Sequence, residues 1–412
     1  MSALEHYAAQ YRRFAGNGAA AGPGWLKDVR EAALTRFAAV GFPTAKEEGW
    51  RFTSVQPIAE TSFTHAAAAW EVGHAPAGAV VTSLVDALRQ WPDLVRTHLA
   101  RHAAAGANPF TALATAFLGD GVFIHVAART APQEPLRVTY RRAPGSPGHC
   151  PMFCPRTLIV LEPEARATVV ESYAGAPDGV YFANAVTEVV LGDGARLDHV
   201  RIQQESESAY HVATTQSVQG RDSVLHSTAV ALGGALSRHD IGAVLDGTGA
   251  SLILNGLSLL RGRQHADHHT TIDHARPHCE SHELFNGVYD GHARGVFTGR
   301  IIVRPGAQRT DSKQTNNNLL LSEDARADSL PQLEIYADDV KCTHGATLGP
   351  LDPTALFYLR SRGVGLAEAR GLLTYGFGAD ILSRIGVPAI RQSLDSVVRA
   401  RLGVAGVEPL AA

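Results

Sequence analysis

From about residue 131 to 350 the chain is written in short runs where apolar and polar residues alternate, the period of a half-buried strand. The runs include Leu136–Tyr140, Thr157–Leu161, Ala167–Ser172, Val186–Leu191, Leu197–Gln203, His211–Val218, Val224–Ala231 and Leu252–Leu259. Small or turn-prone residues introduce several of them, as in Glu164-Ala165-Arg166-Ala167, Gly194-Ala195-Arg196-Leu197, Gly220-Arg221-Asp222-Ser223 and Gly249-Ala250-Ser251-Leu252. These openings recur at a loose period of roughly 27–30 residues, inside the range of repeat architectures. Strand-plus-turn units repeated through the middle of the chain predict a β-solenoid, in which each coil buries its apolar face on the next. Periodicity alone leaves a β-sandwich open.

The flanks carry a different period. Leu26–Val40 and Val81–Ala104 place apolar residues three and four apart, which predicts amphipathic helices. Gly16 to Gly24 reads as a flexible connector, and Pro109–Phe117 as a further helix. After the solenoid, Asp352 is an N-cap with Pro353 in the first turn, and Gly363 ends that helix. Leu366–Tyr375, Ala379–Ile385 and Pro388–Leu402 follow as three short helical segments punctuated by Gly376, Gly378 and Gly386. The expected organisation is a helical region at 1–130, a β core at 131–350 and a helical cap at 351–412.

Chemistry concentrates near the end of the core, in Leu333-Glu334-Ile335-Tyr336-Ala337-Asp338-Asp339-Val340-Lys341-Cys342-Thr343-His344-Gly345. Read as one strand, this run gives Cys342 and His344 the same parity, so both project from one face about 6.7 Å apart. A thiolate and an imidazole that close suit a soft or borderline metal such as iron or zinc. Two donors do not close a tetrahedral site, so other parts of this chain or another polypeptide must complete it. The bland alternative is a buried cysteine beside a surface histidine.

The segment Pro331 to Asp352, followed by Leu356-Phe357-Tyr358-Leu359-Arg360-Ser361-Arg362-Gly363, resembles the C-terminal signature of the SufD family. SufD-type proteins are scaffold subunits of the SUF iron–sulfur cluster assembly complex. The resemblance continues through His268, His274, Cys279, Ser281, Phe297-Thr298-Gly299-Arg300 and Asn316-Asn317-Asn318-Leu319-Leu320-Leu321-Ser322. It also touches Gly41-Phe42-Pro43-Thr44 and Glu48-Gly49-Trp50-Arg51-Phe52-Thr53, and is specific over about residues 265–380. The sister family, SufB, carries glutamates around its own histidine and a cysteine after Phe-Tyr, where this chain has Gly345, Ala346 and Leu359. The resemblance implies a right-handed parallel β-helix flanked by helical regions, and a non-catalytic scaffold. It implies pairing with a SufB-like subunit, with Cys342 and His344 at the junction and an iron or nascent iron–sulfur cluster held there transiently. It further implies a separate SufC-like ATPase docked on the C-terminal helices, for which Phe357, Tyr358, Arg360 and Arg362 are the candidate surface. A homodimer is the expected arrangement to consider when the chain is alone.

Other residues offer weaker chemistry. His265, His268, His269, His274, His278 and His282, with Cys279 among them, would suit a stand-alone metal-dependent β-helix enzyme if neighbouring turns brought them together. The alternative is a polar ladder satisfying buried groups along the coils. His149-Cys150-Pro151-Met152-Phe153-Cys154 lacks the second ligand pair of a zinc site and reads as a turn. Adjacent Asp338 and Asp339 diverge on a regular strand, so turn formation is favoured over the paired-carboxylate work of a polysaccharide-cleaving enzyme. No Gly-Lys-Ser or Gly-Lys-Thr phosphate loop occurs, and Glu368 stands where a dinucleotide fingerprint beginning at Gly363 needs glycine.

Composition narrows the rest. A formal net charge of −3 argues against a broad nucleic-acid footprint. Lysine is confined to Lys27, Lys46, Lys313 and Lys341, a bias attributed to base composition. No apolar run is long enough to span a bilayer, and Glu5 and His6 interrupt the place of a signal-peptide core. Four cysteines in so long a chain do not suggest a disulfide framework, and the cytoplasm is the expected compartment.

Overall fold

The alternating runs become two parallel sheets. In the computed structural model, which describes residues 3–16, 22–119, 121–141, 150–175 and 179–404, consecutive strands of the core go to opposite sheets. Each strand therefore pairs in parallel with the strand two further on. Sheet A runs from Val122–Val126 through Arg156–Leu161, Phe182–Leu191, Tyr210–Gln219, Leu236–Leu245, His265–His274 and Arg294–Val303 to Arg326–Ile335. Sheet B runs from Leu136–Arg141 through Arg166–Ala174, Arg196–Gln204, Val224–Ala231, Ser251–Leu260, Glu280–Tyr289 and Asp311–Leu320 to Lys341–Gly349. The result is a β-solenoid of about seven turns, with helices before and after it. The β-sandwich alternative is excluded by this coil-by-coil parallel register, in which Leu252 lies beside Ser281 and Ser281 beside Ser312.

Alternation decides what fills the tube. Inward positions such as Ile159, Val189, Ala213, Leu252 and Ile272 form one continuous apolar core. The outer face of sheet B is also apolar, at Val200, Val230, Leu257 and Val288, because the C-terminal helices cover it with Ile381, Leu394 and Val398. The outer face of sheet A receives the N-terminal region through Phe182, Val186 and Val212, packed with Phe37, Trp50 and Phe110. One polar clamp fixes that region. Arg238 lies 3.7 Å from the Trp50 ring centre and donates to Gly49 O, Asp240 and Asp267. Among the described residues no helix is long and apolar enough to cross a membrane.

Three readings of the sequence change. Val81–Ala104 is not one helix: Ala79–Ser83 is a strand on Val122–Val126, and helices follow at Leu84–Gln90 and Pro92–His98. Ser83 caps the first by accepting from Asp86 N, and Pro92 opens the second. Leu366–Tyr375 and Ala379–Ile385 are instead a single helix, Leu366–Ser383. Gly376 and Gly378 do not break it, because packing of Ile381 and Leu382 outweighs the propensity cost of about 1 kcal/mol per glycine. The run Leu333–Gly345 is two strands, Arg326–Ile335 and Lys341–Gly349, on opposite sheets with a turn between them. Part of the Gly16–Gly24 connector, at 17–21, lies outside the described residues.

Two glycines are needed for packing. A Cβ at Gly287 would lie 2.0 Å from Tyr289 Oη, and one at Gly295 would lie 1.9 Å from Tyr289 Cζ. The buried ring thus occupies space that both glycines vacate. Gly295→Val is predicted to cost about 1–3 kcal/mol by overpacking, seen as a lower urea midpoint at an unchanged slope. Tyr289→Leu in that background should recover part of the loss.

Candidate functional site

The solenoid ends abruptly. Arg326–Ile335 and Lys341–Gly349 are the last strands of sheets A and B, and no further strand pairs with either among the described residues. Their inward positions continue columns that are buried one coil earlier. Cys342 lies in register with Ser312, His344 with Gln314, Ala346 with Asn316 and Leu348 with Asn318. Those four lower residues are buried, whereas Leu348 is 57% exposed and His344 is exposed. On the facing sheet, Ile335 stacks on buried Val303 and is itself 40% exposed. The end of the tube is therefore an open mouth with two unpaired strand edges, and Cys342 and His344 point into it.

Splitting the predicted strand does not separate the pair, since both residues fall on Lys341–Gly349 with the same parity. Cys342 is half-buried beside Ile301, Val303 and Ala337. Burial, and secondarily the Asp311 carboxylate, push its thiol above the usual range. A metal bound here would have to displace the thiol proton. Among the described residues no group of three or more His, Cys, Asp or Glu side chains is placed to hold a metal ion. The donors present are suited by type to a soft or borderline cation and are too few to enclose one.

The structure does not bring the other histidines together. His268 and His274 point into the tube, His274 bonding Ser281 Oγ at 2.8 Å and His268 packing on Phe285. His265 bonds Thr53 and His269 accepts from Arg238, both on the outer side of sheet A. His278 is in a turn with φ +60°, and His282 is on the outer face of sheet B near Asp311. Cys279 is buried with its thiol on Gly247 O. Cys150 and Cys154 flank the short strand Pro151–Phe153, and His149 lies outside the described residues. Asp338 and Asp339 are exposed in the turn, where Asp339 N donates to Gln308 and Asp339 O accepts from Arg309 N.

Beyond the mouth, the helix Pro353–Ser361 is capped by Asp352 and has no buried residue. Phe357 and Tyr358 are 73% and 57% exposed, and Arg362 lies over the Tyr358 ring at 5.2 Å. Arg360 is exposed on the same short helix. These two large aromatics are mostly exposed among the described residues, on a helix with no fully buried residue.

Sequence reading did not find what lies under the mouth. Glu283, fully buried, has its carboxyl pushed up to about 7 by burial, partly offset by Gln314, which donates to it, and by the nearby Thr270 hydroxyl. Its strand alternates Ser281, Glu283, Phe285, Gly287, which marks Glu283 as inward. The signal was present in that parity.

The class the fold defines is a two-sheet parallel β-solenoid with an open terminal coil. Residues 145–377 match the profile "SUF system FeS cluster assembly, SufBD core domain", and 65–138 match "SufBD protein N-terminal region". An iron–sulfur cluster assembly SufBD family protein of Synechocystis is 35% identical over 72% of this chain and 67% of its own length. SufD of Escherichia coli is 29% identical over 90% of both chains, and SufD of Bacillus subtilis 28% over 79% of this chain and 74% of its own. The chain belongs to the SufBD family of iron–sulfur cluster assembly proteins and is SufD-like within it.

The buried carboxyl generates a pH prediction. The folded state retains a proton on Glu283 that the unfolded chain releases above the ordinary carboxylate range, so this group's contribution falls as pH rises toward about 7 and is level beyond it. Glu283→Gln should remove that slope and raise stability above neutrality by about 3 kcal/mol. The difference between wild-type and variant denaturation free energies across pH isolates the effect.

Proposed function

We propose that this chain is a non-catalytic scaffold subunit that joins a SufB-like subunit through the open mouth of its solenoid. Iron or a nascent iron–sulfur cluster is the cargo at that junction. One observation carries the reading: a thiol and an imidazole, too few to hold a metal alone, line the open mouth between two unpaired strand edges. Edge strands invite pairing with another chain, and an apolar mouth containing Leu348 and Ile335 gains by being covered. The partner would supply both the covering surface and the missing donors. On binding, the Cys342 thiol loses its proton to solvent and becomes the anionic ligand, while His344 contributes a neutral imidazole. When no partner is present, the same edges would support a homodimer.

The helix Pro353–Ser361 is the proposed seat of a SufC-like ATPase, with Phe357 and Tyr358 as apolar anchors and Arg360 and Arg362 at the rim. ATP hydrolysis belongs to that partner in this reading, and the compartment is the cytoplasm. The names of the relatives, all iron–sulfur cluster assembly proteins, support the reading.

Replacing Cys342 and His344 together by alanine is predicted to lower cluster formation by the reconstituted complex about tenfold or more, since losing a ligand costs at least as much as losing its outer-shell support. Unchanged cluster formation would refute the metal role. Phe357→Ala with Tyr358→Ala should weaken ATPase retention about thirtyfold, the scale of an interface anchor. The melting temperature should change little, because both side chains are mostly exposed in this chain; pull-down and thermal denaturation read the two effects.

A further inference from the structure

Directly under the exposed imidazole lie two buried polar side chains with oxygens left bare. His344 is in register over Gln314, and Gln314 over Glu283, each step one coil of about 4.8 Å. Gln314 is 1% exposed and Glu283 2%. Gln314 Nε2 donates to Glu283 Oε2 at 2.6 Å. Gln314 Oε1 and Glu283 Oε1 have no hydrogen-bond partner. A buried acceptor without a donor costs about 1–3 kcal/mol.

Above about pH 7, where Glu283 is ionised and only accepts, the surroundings narrow the source of a donor for Gln314. Across the tube stands Gly299, where a Cβ would lie 2.1 Å from Gln314 Nε2, so the amide occupies space that only glycine leaves. Above Gly299 in the same column is Pro331, which has neither a backbone N–H nor a side-chain donor. Thr270, one coil below Gly299, lies against the Glu283 carboxyl and not against Gln314. In Gln314's own column, the next residue outward is His344, whose neutral ring carries one N–H.

We propose that Gln314, held in place by Glu283, is a positioning residue for His344: its Oε1 accepts the imidazole N–H and leaves the other ring nitrogen bare toward the mouth. This is the support that metal-binding histidines receive from a neighbouring acceptor, which fixes tautomer and ring orientation together. The Gln314 amide is oriented in turn, because its Nε2 is committed to the Glu283 carboxyl. The bare nitrogen suits a borderline divalent cation, and that part of the inference rests on the donor-pair reading above. The hydrogen bond itself does not.

The test separates the two. Long-range proton–nitrogen NMR on the labelled full chain, above the imidazole titration range and assigned with His344→Gln, reads the His344 tautomer without metal. Wild type should show one tautomer. Gln314→Met, which keeps length and removes the acceptor, should give a mixture. The exchanged pair Glu283→Gln with Gln314→Glu restores an acceptor under His344 and should restore the single tautomer. One unchanged distribution across all three overturns the proposal, and so does a mixture in the exchanged pair, which also serves if Gln314→Met folds poorly. Cobalt(II) titration of the chain with its SufB-like partner bound should show about tenfold weaker binding in Gln314→Met. Cobalt binding unaffected by His344→Gln would sink the donor-pair reading and leave the tautomer result standing.

Discussion

Parallel hydrogen bonding between successive coils is the constraint on which the rest of this chain depends. It aligns residues roughly one repeat apart into straight inward columns, so each inward side chain must suit the one below and the one above. Where a column is apolar, as at Leu197, Leu225 and Leu252, stacking alone satisfies it. Where a large ring enters, neighbours shrink to glycine, as around Tyr289. The same rule leaves a consequence at the end of the ladder. Among the described residues the last coil presents inward residues with no further strand above them, and the thiol and imidazole gain their exposure from that position.

The flanking helices leave this end open. The C-terminal helices lie along the outer face of sheet B, and the N-terminal region along the outer face of sheet A. Both therefore cover the sides of the tube. The Arg238 clamp is especially costly to undo, since its guanidinium is buried against two carboxylates and an indole, and removing one partner leaves uncompensated charge. Leu351, beside the exposed helix Pro353–Ser361, packs with the apolar layer on sheet B.

Much of the architecture was legible in the residues because a strand buried on its inner face must alternate. Val224–Ala231 has the limits expected of it, and Leu197–Gln203 extends by one residue at each end. What was not legible depended on tertiary context. Gly378 looks like a helix stop until its packing against Leu257 and Val398 is known. Val81 lies in a β-branched strand that shares an apolar rhythm with the helix after it. The Cys342–His344 spacing was readable, but its location at an uncovered coil was not, because only the count of coils tells where a solenoid stops. Likewise Gln314 draws no attention until the column from Glu283 to His344 is assembled.

The central claim is that the mouth of the solenoid is half of a joint surface, completed by another polypeptide. Amide hydrogen exchange of the full chain, alone and with a SufB-like partner, tests it most directly. The account predicts strong new protection across Arg326–Ile335 and Lys341–Gly349, with the edges of the first coil unaffected. Exchange at those two strands that is the same with and without bound partner would contradict it.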